Sequence, residues 1–343
     1  MTAPLLVLDR GLGLFASGLV LLALASCHSI HTPLQSSDTP LKGRVICVDP
    51  GHGGTAESDT FRVGPSGERE EWINLRVGLV LKELLEERGA RVIMTRTEDV
   101  PVELADRARL AVENRVDAFV SIHHNATADS GVNFPIVYFH GSASKNLASV
   151  ALGRIVASNL RSALFDSAAP ACLVSDYAIF PGSGASVLRN SYGIPAVIGE
   201  ASFFSNPDEE QRLKQPASNR AEARAYLVSL ERFFSGDIPA IVEEDELGRL
   251  PPFPVLQEGG RMEEEARSWN ELYQRGLELM QAQDHESLAE ALDLFTRSAQ
   301  AFPDSYVAQK CHQLRAEILA ALGDEEEAEI ERRRALEHYV AVN

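Results

Sequence analysis

Apolar and polar residues follow two different rhythms along this chain. Arg44-Val-Ile-Cys-Val-Asp49 is a short apolar run bounded by charge, the pattern of a strand buried on both faces. From Trp72 to Arg88, apolar side chains recur at 72, 73, 77, 80, 81, 84 and 85. That stripe has helical spacing, and Gly89 supplies the stop. The alternation continues with a strand at Arg91–Thr95, a helix at Val102–Asn114 and strands at Asp117–Ile122 and Pro135–Phe139. A long helix is predicted over Ser144–Phe165, a late strand over Ala196–Gly199 and a closing helix over Ser218–Phe234. Strands alternating with helices predict an α/β fold: a mostly parallel, twisted sheet flanked by helices in three layers (α/β/α).

After Phe234 the rhythm changes. Residues 237–268 hold Glu243-Glu-Asp-Glu246, Pro251-Pro-Phe-Pro254 and Gly259-Gly260, which together read as an acidic Pro/Gly linker. Residues 269–343 show no strand signal and fit two helical hairpins of about 34 residues. Gly276, Leu279, Ala291, Phe295 and Pro303, then Ala316, Leu319, Gly323, Ala328 and Ala335, fall near positions where tetratricopeptide repeats carry small or apolar residues. An ordinary helical hairpin fits the same spacing. The expected organisation is therefore a sheet domain at 43–236, a linker at 237–268 and a small all-α region at 269–343.

Charge supports the boundary near 237. The chain has 343 residues, 32 Lys+Arg and 50 Asp+Glu, for a net charge of −18. Residues 237–343 alone carry −14 of it. So acidic a surface repels phosphates and argues against nucleic acid as a partner.

The first segment adds a compartment. Gly11–Leu24 is uncharged and apolar but too short to span a bilayer, and it suits the core of a secretory signal. It ends in Leu24-Ala25-Ser26-Cys27, which resembles a bacterial lipobox. The resemblance implies a signal peptide over 1–27 and lipidation at Cys27, and residues 28–42, rich in Ser, Thr, Pro and His without periodicity, read as a tether. A lipid-anchored protein of the bacterial cell envelope would follow, facing the periplasm or exterior. His28, not Asp, after the lipidated position leans toward the outer membrane. An uncleaved anchor or an ordinary signal are the other readings. Cys47, Cys172 and Cys311 have no disulfide or zinc-knuckle spacing, and Cys47 reads as a buried thiol.

Three polar residues follow strand ends: His52 in Asp49-Pro-Gly-His-Gly-Gly54, His123 in Ser121-Ile-His-His-Asn-Ala126, and Glu200 after Ala196-Val-Ile-Gly199. Parallel strands put their carboxyl ends on one rim, so residues 70 or more positions apart can converge there. Glu70 stands just before the helix that begins on that rim. Two His and one carboxylate form the ligand set of an open catalytic zinc site. A second, non-ligating carboxylate is then needed to relay the proton, and Glu200 suits that role. Each residue alone has a bland reading: a lone His is usually structural, and Glu68, Glu70 and Glu71 suit a helix start. His124 and His140 read as incidental.

Five ordered motifs carry a resemblance. They are Val48-Asp-Pro-Gly-His-Gly-Gly54, Glu70-Glu-Trp-Ile-Asn-Leu75, Val92-Ile-Met-Thr-Arg-Thr-Glu-Asp99 with Leu104-Ala-Asp-Arg107, Ser121-Ile-His-His-Asn-Ala126, and Pro195-Ala-Val-Ile-Gly-Glu-Ala-Ser-Phe-Phe-Ser-Asn206. Residues from about Arg44 to Phe234 resemble the zinc-dependent N-acetylmuramoyl-L-alanine amidases of the AmiA/AmiC and CwlV type. The resemblance implies one Zn2+ per chain held by His52, Glu70 and His123, with Glu200 as the catalytic carboxylate. Glu70 is chosen over Glu71 because the family's Glu stands four residues before its Asn-Leu pair, here Asn74-Leu75. The implied activity is hydrolysis of the amide between N-acetylmuramic acid and L-alanine in peptidoglycan. Asn125 would orient substrate or a ligand, or simply form a turn. Arg96 and Asp99 are expected to fix the loop after the second strand. The family usually has a small residue at His124 and Gly at Ser202, which bears on pocket shape. Its long regulatory helix has no counterpart between Asn125 and Leu147. A different zinc peptidase, or a non-catalytic envelope lipoprotein, are the competing readings. The helical tail would serve as a surface for a protein partner or as a lid.

Overall fold

The computed structural model describes residues 39–58, 62–244 and 249–342. Cys27, the signal-like segment and most of the 28–42 tether lie outside the described residues. Among those described, no helix is long and apolar enough to cross a membrane.

The first strand, β1 (Val45–Pro50), is buried along nearly its whole length, as its uninterrupted apolar run requires. It leads into α1 (Glu70–Glu87), then β2 (Arg91–Met94), α2 (Leu104–Glu113), β3 (Ala118–Asn125) and β4 (Ile136–Phe139). Next come α3 (Leu147–Leu164), β5 (Cys172–Ser175), α4 (Ser186–Asn190), β6 (Ala196–Phe203), α5 (Pro207–Leu213) and α6 (Pro216–Phe234). Two single-turn helices follow, α7 (Glu258–Arg261) and α8 (Glu264–Arg267). The chain closes with α9 (Trp269–Leu279), α10 (His285–Ala301), α11 (Ala308–Leu322), α12 (Glu325–Glu337) and β7 (Tyr339–Val340).

The strands form one sheet in the order β2-β1-β3-β6-β4-β5-β7. β2, β1, β3 and β6 run parallel. β4 is antiparallel to β6 and parallel to β5, and β7 is antiparallel to β5. The sheet is therefore mixed, with its parallel half carrying the predicted strand-end residues.

Alternation along each strand divides the core in two. On one face Ile46, Val48, Val120, Ile122, Val137 and Val197 pack against α1, α3 and α6. On the other, Cys47, Phe119, Ile136, Tyr138, Val174 and Ile198 share a cluster with Trp269, Phe295, Phe302 and Cys311 of the C-terminal helices. Aromatic contacts cross this junction: Phe302 lies 6.1 Å from Phe134 and 6.0 Å from Phe203, and Trp269 lies 5.1 Å from Phe302. The third layer of the sandwich is thus supplied by α9–α12 over the β4/β5 half of the sheet, and by α2 and α4 elsewhere. All described residues fall in one compact unit, Asp38–Asn343.

The structure corrects several readings of the sequence. Cys172–Ser175 is a strand, too short to show a period. Tyr339–Val340 adds an edge strand inside a stretch that shows no strand signal. The segment 237–268 is not bare connection: Leu250 and Ala266 are buried, and Leu256 N–H donates to Gln300 O at 2.9 Å. Leu41, at the end of the expected tether, is fully buried in the first core. Cys47, Cys172 and Cys311 are buried free thiols, each with its pKa pushed up by burial.

Candidate functional site

His52 leaves β1 on a strained turn. Its φ is 58°, followed by Gly53 at 127° and Gly54 at 66°. Glycine takes such angles without cost; His52 does not, so its surroundings must hold it. Arg107 does so from α2. Its guanidinium donates to His52 O (2.6 Å), Pro50 O (2.9 Å) and the Asp49 carboxylate (2.7 Å). Burial alone would raise the Asp49 pKa, but Arg107, Ser121 and Thr95 together lower it. Arg96 adds bonds to Pro50 O, Gly51 O and Glu71 O. Asp99 accepts from Gly54 N–H at 2.6 Å and from the Trp72 indole at 2.9 Å. Arg96 and Asp99, in the loop after β2, therefore tie that loop to the β1–α1 turn, and Arg96 also donates to Glu98 O within it at 3.1 Å, as expected of them.

The turn delivers His52 to Glu70, in the first turn of α1, where the helix dipole favours a carboxylate. His52 Nε2 lies 3.1 Å from Glu70 Oε2, and His123 Nδ1 lies 3.0 Å from Glu70 Oε1. The two imidazoles stand edge-on, with centroids 4.7 Å apart. One ligand atom from each of the three residues lies within 4.8 Å of the others. Burial would raise the Glu70 pKa, but the two imidazoles hold it well below the usual carboxylate range. Burial pulls the His52 pKa down. His123 is also buried, yet Glu70 pulls its pKa up. Glu71 points elsewhere, to Arg69 at 2.6 Å. The sequence offered three glutamates at this helix start; only Glu70 reaches both rings.

Glu200 sits across from His123 in the register of β3 and β6. Directly afterwards the register shifts, so that Asn125 pairs with Phe203. That bulge places one extra residue on β6 and swaps which face later side chains occupy. Glu200 Oε2 is buried with no hydrogen-bond partner among the described residues. Burial, reinforced by Glu70 and opposed by His123, pushes the Glu200 pKa up to about 7. Asn125 accepts from Ala126 N–H through Oδ1, while its buried Nδ2 has no partner among the described residues. His52, Glu70, His123, Asn125 and Glu200 all line one cavity of about 170 Å³.

His124 is not incidental. It is buried, with Nδ1 2.8 Å from Asn74 Oδ1 and Nε2 3.0 Å from Glu222 Oε2. Asn74 in turn donates to Glu70 Oε1 and Gly51 O, both at 3.2 Å. His124 thus orients the residue that orients Glu70. Burial would lower its pKa, but Glu222 raises it. The spacing of Asn74 four residues after Glu70 was a usable sign; Glu222, 98 positions from His124, gave none. His140 is also engaged, 2.8 Å from Asp176, outside the residues lining the cavity.

Gly51 is the tightest point. A Cβ there would lie 2.1 Å from His123 Nε2, whereas real Cβ atoms essentially never come within 3.0 Å. The obstacle is a rigid ring, so Gly51→Ala must push His123 away from Glu70. We expect this variant to fold but to lose metal affinity by at least the 10–100-fold typical of lost ligand support. Calorimetric zinc titration checks it; an unchanged affinity would refute the placement of His123.

Residues 46–232 match the family model described as N-acetylmuramoyl-L-alanine amidase. The chain is 33% identical over 204 residues to a probable cell wall amidase LytH of Staphylococcus epidermidis, covering 58% of this chain and 61% of that protein. It is 31% identical over 210 residues to the Staphylococcus saprophyticus protein of the same name, covering 60% and 64%. The chain thus spans less than two thirds of the length of these curated relatives. Among solved structures, it resembles the CwlD amidase from Clostridioides difficile, solved in complex with the GerS lipoprotein. The TM-score is 0.50 at 24% identity, over 57% of this chain and 100% of that one. At that identity the likeness speaks to fold alone.

Proposed function

Because the chain belongs to the N-acetylmuramoyl-L-alanine amidase family through residues 46–232, we propose that it hydrolyses the amide joining the lactyl group of N-acetylmuramic acid to L-alanine in peptidoglycan. The observation that carries the proposal is the juxtaposition of a two-His, one-Glu cage with a buried, unpartnered carboxylate on the adjacent strand.

The cage fits zinc. Ligands of a tetrahedral zinc site stand about 3.3 Å from one another, given metal–ligand bonds near 2.0–2.2 Å. The imidazole-to-carboxylate separations of 3.0 and 3.1 Å, each to a different Glu70 oxygen, and the 4.8 Å limit on the spread of one ligand atom per residue bracket this value. His52 Nε2, Glu70 and His123 Nδ1 would hold the ion, and His124 and Asn74 would orient Glu70 behind it. Bound there, zinc supplies Lewis acidity, acidifying a water and polarising the scissile carbonyl. Glu200 takes the water proton on Oε2 and delivers it to the leaving nitrogen of L-alanine. The Asn125 Nδ2–H group donates to substrate. Ile198, Phe204 and Tyr138 line the same cavity and give the carboxylate an apolar surround.

Purified sacculi provide the test. Digestion should release intact stem peptides beginning with L-alanine, and activity should vanish with chelator and return with zinc. His52→Ala and His123→Ala should each bind less than a tenth of the zinc bound by the unaltered chain. Shortened stems would favour a peptidase, and no products at all would favour a binding role. Unchanged zinc content in both variants would reject the cage.

Lipid anchoring at Cys27 and an envelope location complete the proposal. The lipobox-like sequence and relatives named as cell wall amidases support them. Radiolabelled palmitate should mark the chain in cells and fail to mark Cys27→Ser. The two hairpins, α9 with α10 and α11 with α12, support the tetratricopeptide-like reading of that region.

A further inference from the structure

The cavity wall facing the sheet comes from beyond the family-matched residues. Leu256, Gln257, Arg261 and Met262 line it together with His52, Glu70 and Glu200. This segment is firmly tied. Ala128 N–H donates to Arg261 O at 2.9 Å, and Arg267 Nε–H donates to Ala128 O at 3.0 Å. Arg261 is the charged member. Its Nη2 donates to both oxygens of buried Asp304, at 2.9 and 3.2 Å, and its guanidinium lies 5.3 Å from the Phe302 ring. Asp304 is held in turn by the Tyr138 hydroxyl, which donates to Oδ2.

Both of these bonds use Nη2, so among the described residues the Nε–H and Nη1–H donors remain for another acceptor. A guanidinium so anchored is a fixed cation whose Nη1–H group takes an anionic oxygen through a charge-assisted hydrogen bond. In a cavity that also holds the cage, the matching group is an acid on the substrate close to the scissile amide. The stem residue after L-alanine is a γ-linked D-glutamate, whose α-carboxyl is free in some walls and amidated in others.

We propose that Arg261, positioned by Asp304, binds the α-carboxylate of the second stem residue and makes this chain selective for non-amidated stems. The proposal rests on the amidase reading and deepens it. Asp304 acts only through Arg261. Tyr138, on β4, ties the device to the strand beside Glu200.

The test compares muramoyl-L-alanyl-γ-D-glutamyl-L-lysine with muramoyl-L-alanyl-D-isoglutaminyl-L-lysine, which differ only in the α-carboxyl of the second residue, as substrates of the full zinc-loaded chain. The unaltered chain should favour the non-amidated substrate by tenfold or more in kcat/KM, through KM. Arg261→Met should bring the ratio near one, and Arg261→Lys should retain part of it. Because Arg261→Met strands the buried Asp304, Arg261→Met/Asp304→Asn serves as the second variant and should lose the preference equally. A preference that survives in both, or none in the unaltered chain, overturns the assignment while leaving the amidase reading intact. Cleavage of neither substrate by the unaltered chain overturns the amidase reading and this inference with it.

Discussion

Glu200→Gln is expected to keep its zinc and its fold while turnover on sacculi falls by about 10²–10⁴-fold, the range for loss of a general acid–base group. Gln matches the carboxylate in shape but can neither take the water proton nor return it to nitrogen. Glu200 ligates nothing in the cage, so metal content should not change. Stability offers an independent readout in metal-free protein. The Glu200 pKa is raised to about 7 from the ordinary 4.5. The unfolded chain therefore releases this proton first, and the group costs the fold stability as pH rises from about 4.5 to about 7. The cost is then complete, at about 3 kcal/mol. Glu200→Gln removes it, so chelated variant and chelated parent should match near pH 4 and diverge toward pH 7, the variant being more stable. Thermal melts across that range check the sign. Retained turnover would reject the proton-relay role, and a variant less stable at pH 7 would reject the buried, unpartnered environment.

A chain ending at Gly236 should fail to fold, although charge and composition mark that position as a domain boundary. Removal of α9–α12 and β7 would expose Ile136, Tyr138, Cys172, Val174 and Phe203, now buried against Trp269, Phe295 and Phe302. Each large apolar side chain returned to water costs about 1.5–3 kcal/mol. Five or more such losses match the whole stability of an ordinary domain, about 5–15 kcal/mol. Tyr138 would also lose Asp304, and β5 would lose its partner β7. The expected result is an insoluble or molten fragment without cooperative unfolding, measured by near-ultraviolet circular dichroism and calorimetry. A soluble, cooperatively melting, zinc-binding fragment would show that the C-terminal helices are an appendage rather than the third layer.

Legibility in the sequence followed the range of the interactions. Buried strands such as Val45–Pro50 and helices such as Glu70–Glu87 announce themselves through apolar period, a local property. Cys172–Ser175 and Tyr339–Val340 are too short for any period, and pairing alone makes them strands. The strand-end position of His52, His123 and Glu200 was readable because parallel β/α order sends carboxyl ends to one rim. The choice of Glu70 over Glu71 needed a motif, and the fold shows why it matters: one helical step turns the carboxylate from the imidazoles to Arg69. The bracing of Asn74 by His124 and Glu222 was invisible, because Asn74 of α1 and Glu222 of α6 both reach His124 of β3 only once the helices pack on the sheet.

By itself, then, the sequence determined the α/β rhythm, the acidic tail and the residue types able to hold and use a divalent ion, since all of these depend on neighbours along the chain. Only the tertiary structure decided that the tail closes the sheet's second face and brings Arg261 into the cavity wall. Those outcomes depend on burying an apolar surface against a segment more than a hundred residues away, and no local pattern encodes which partner will cover it.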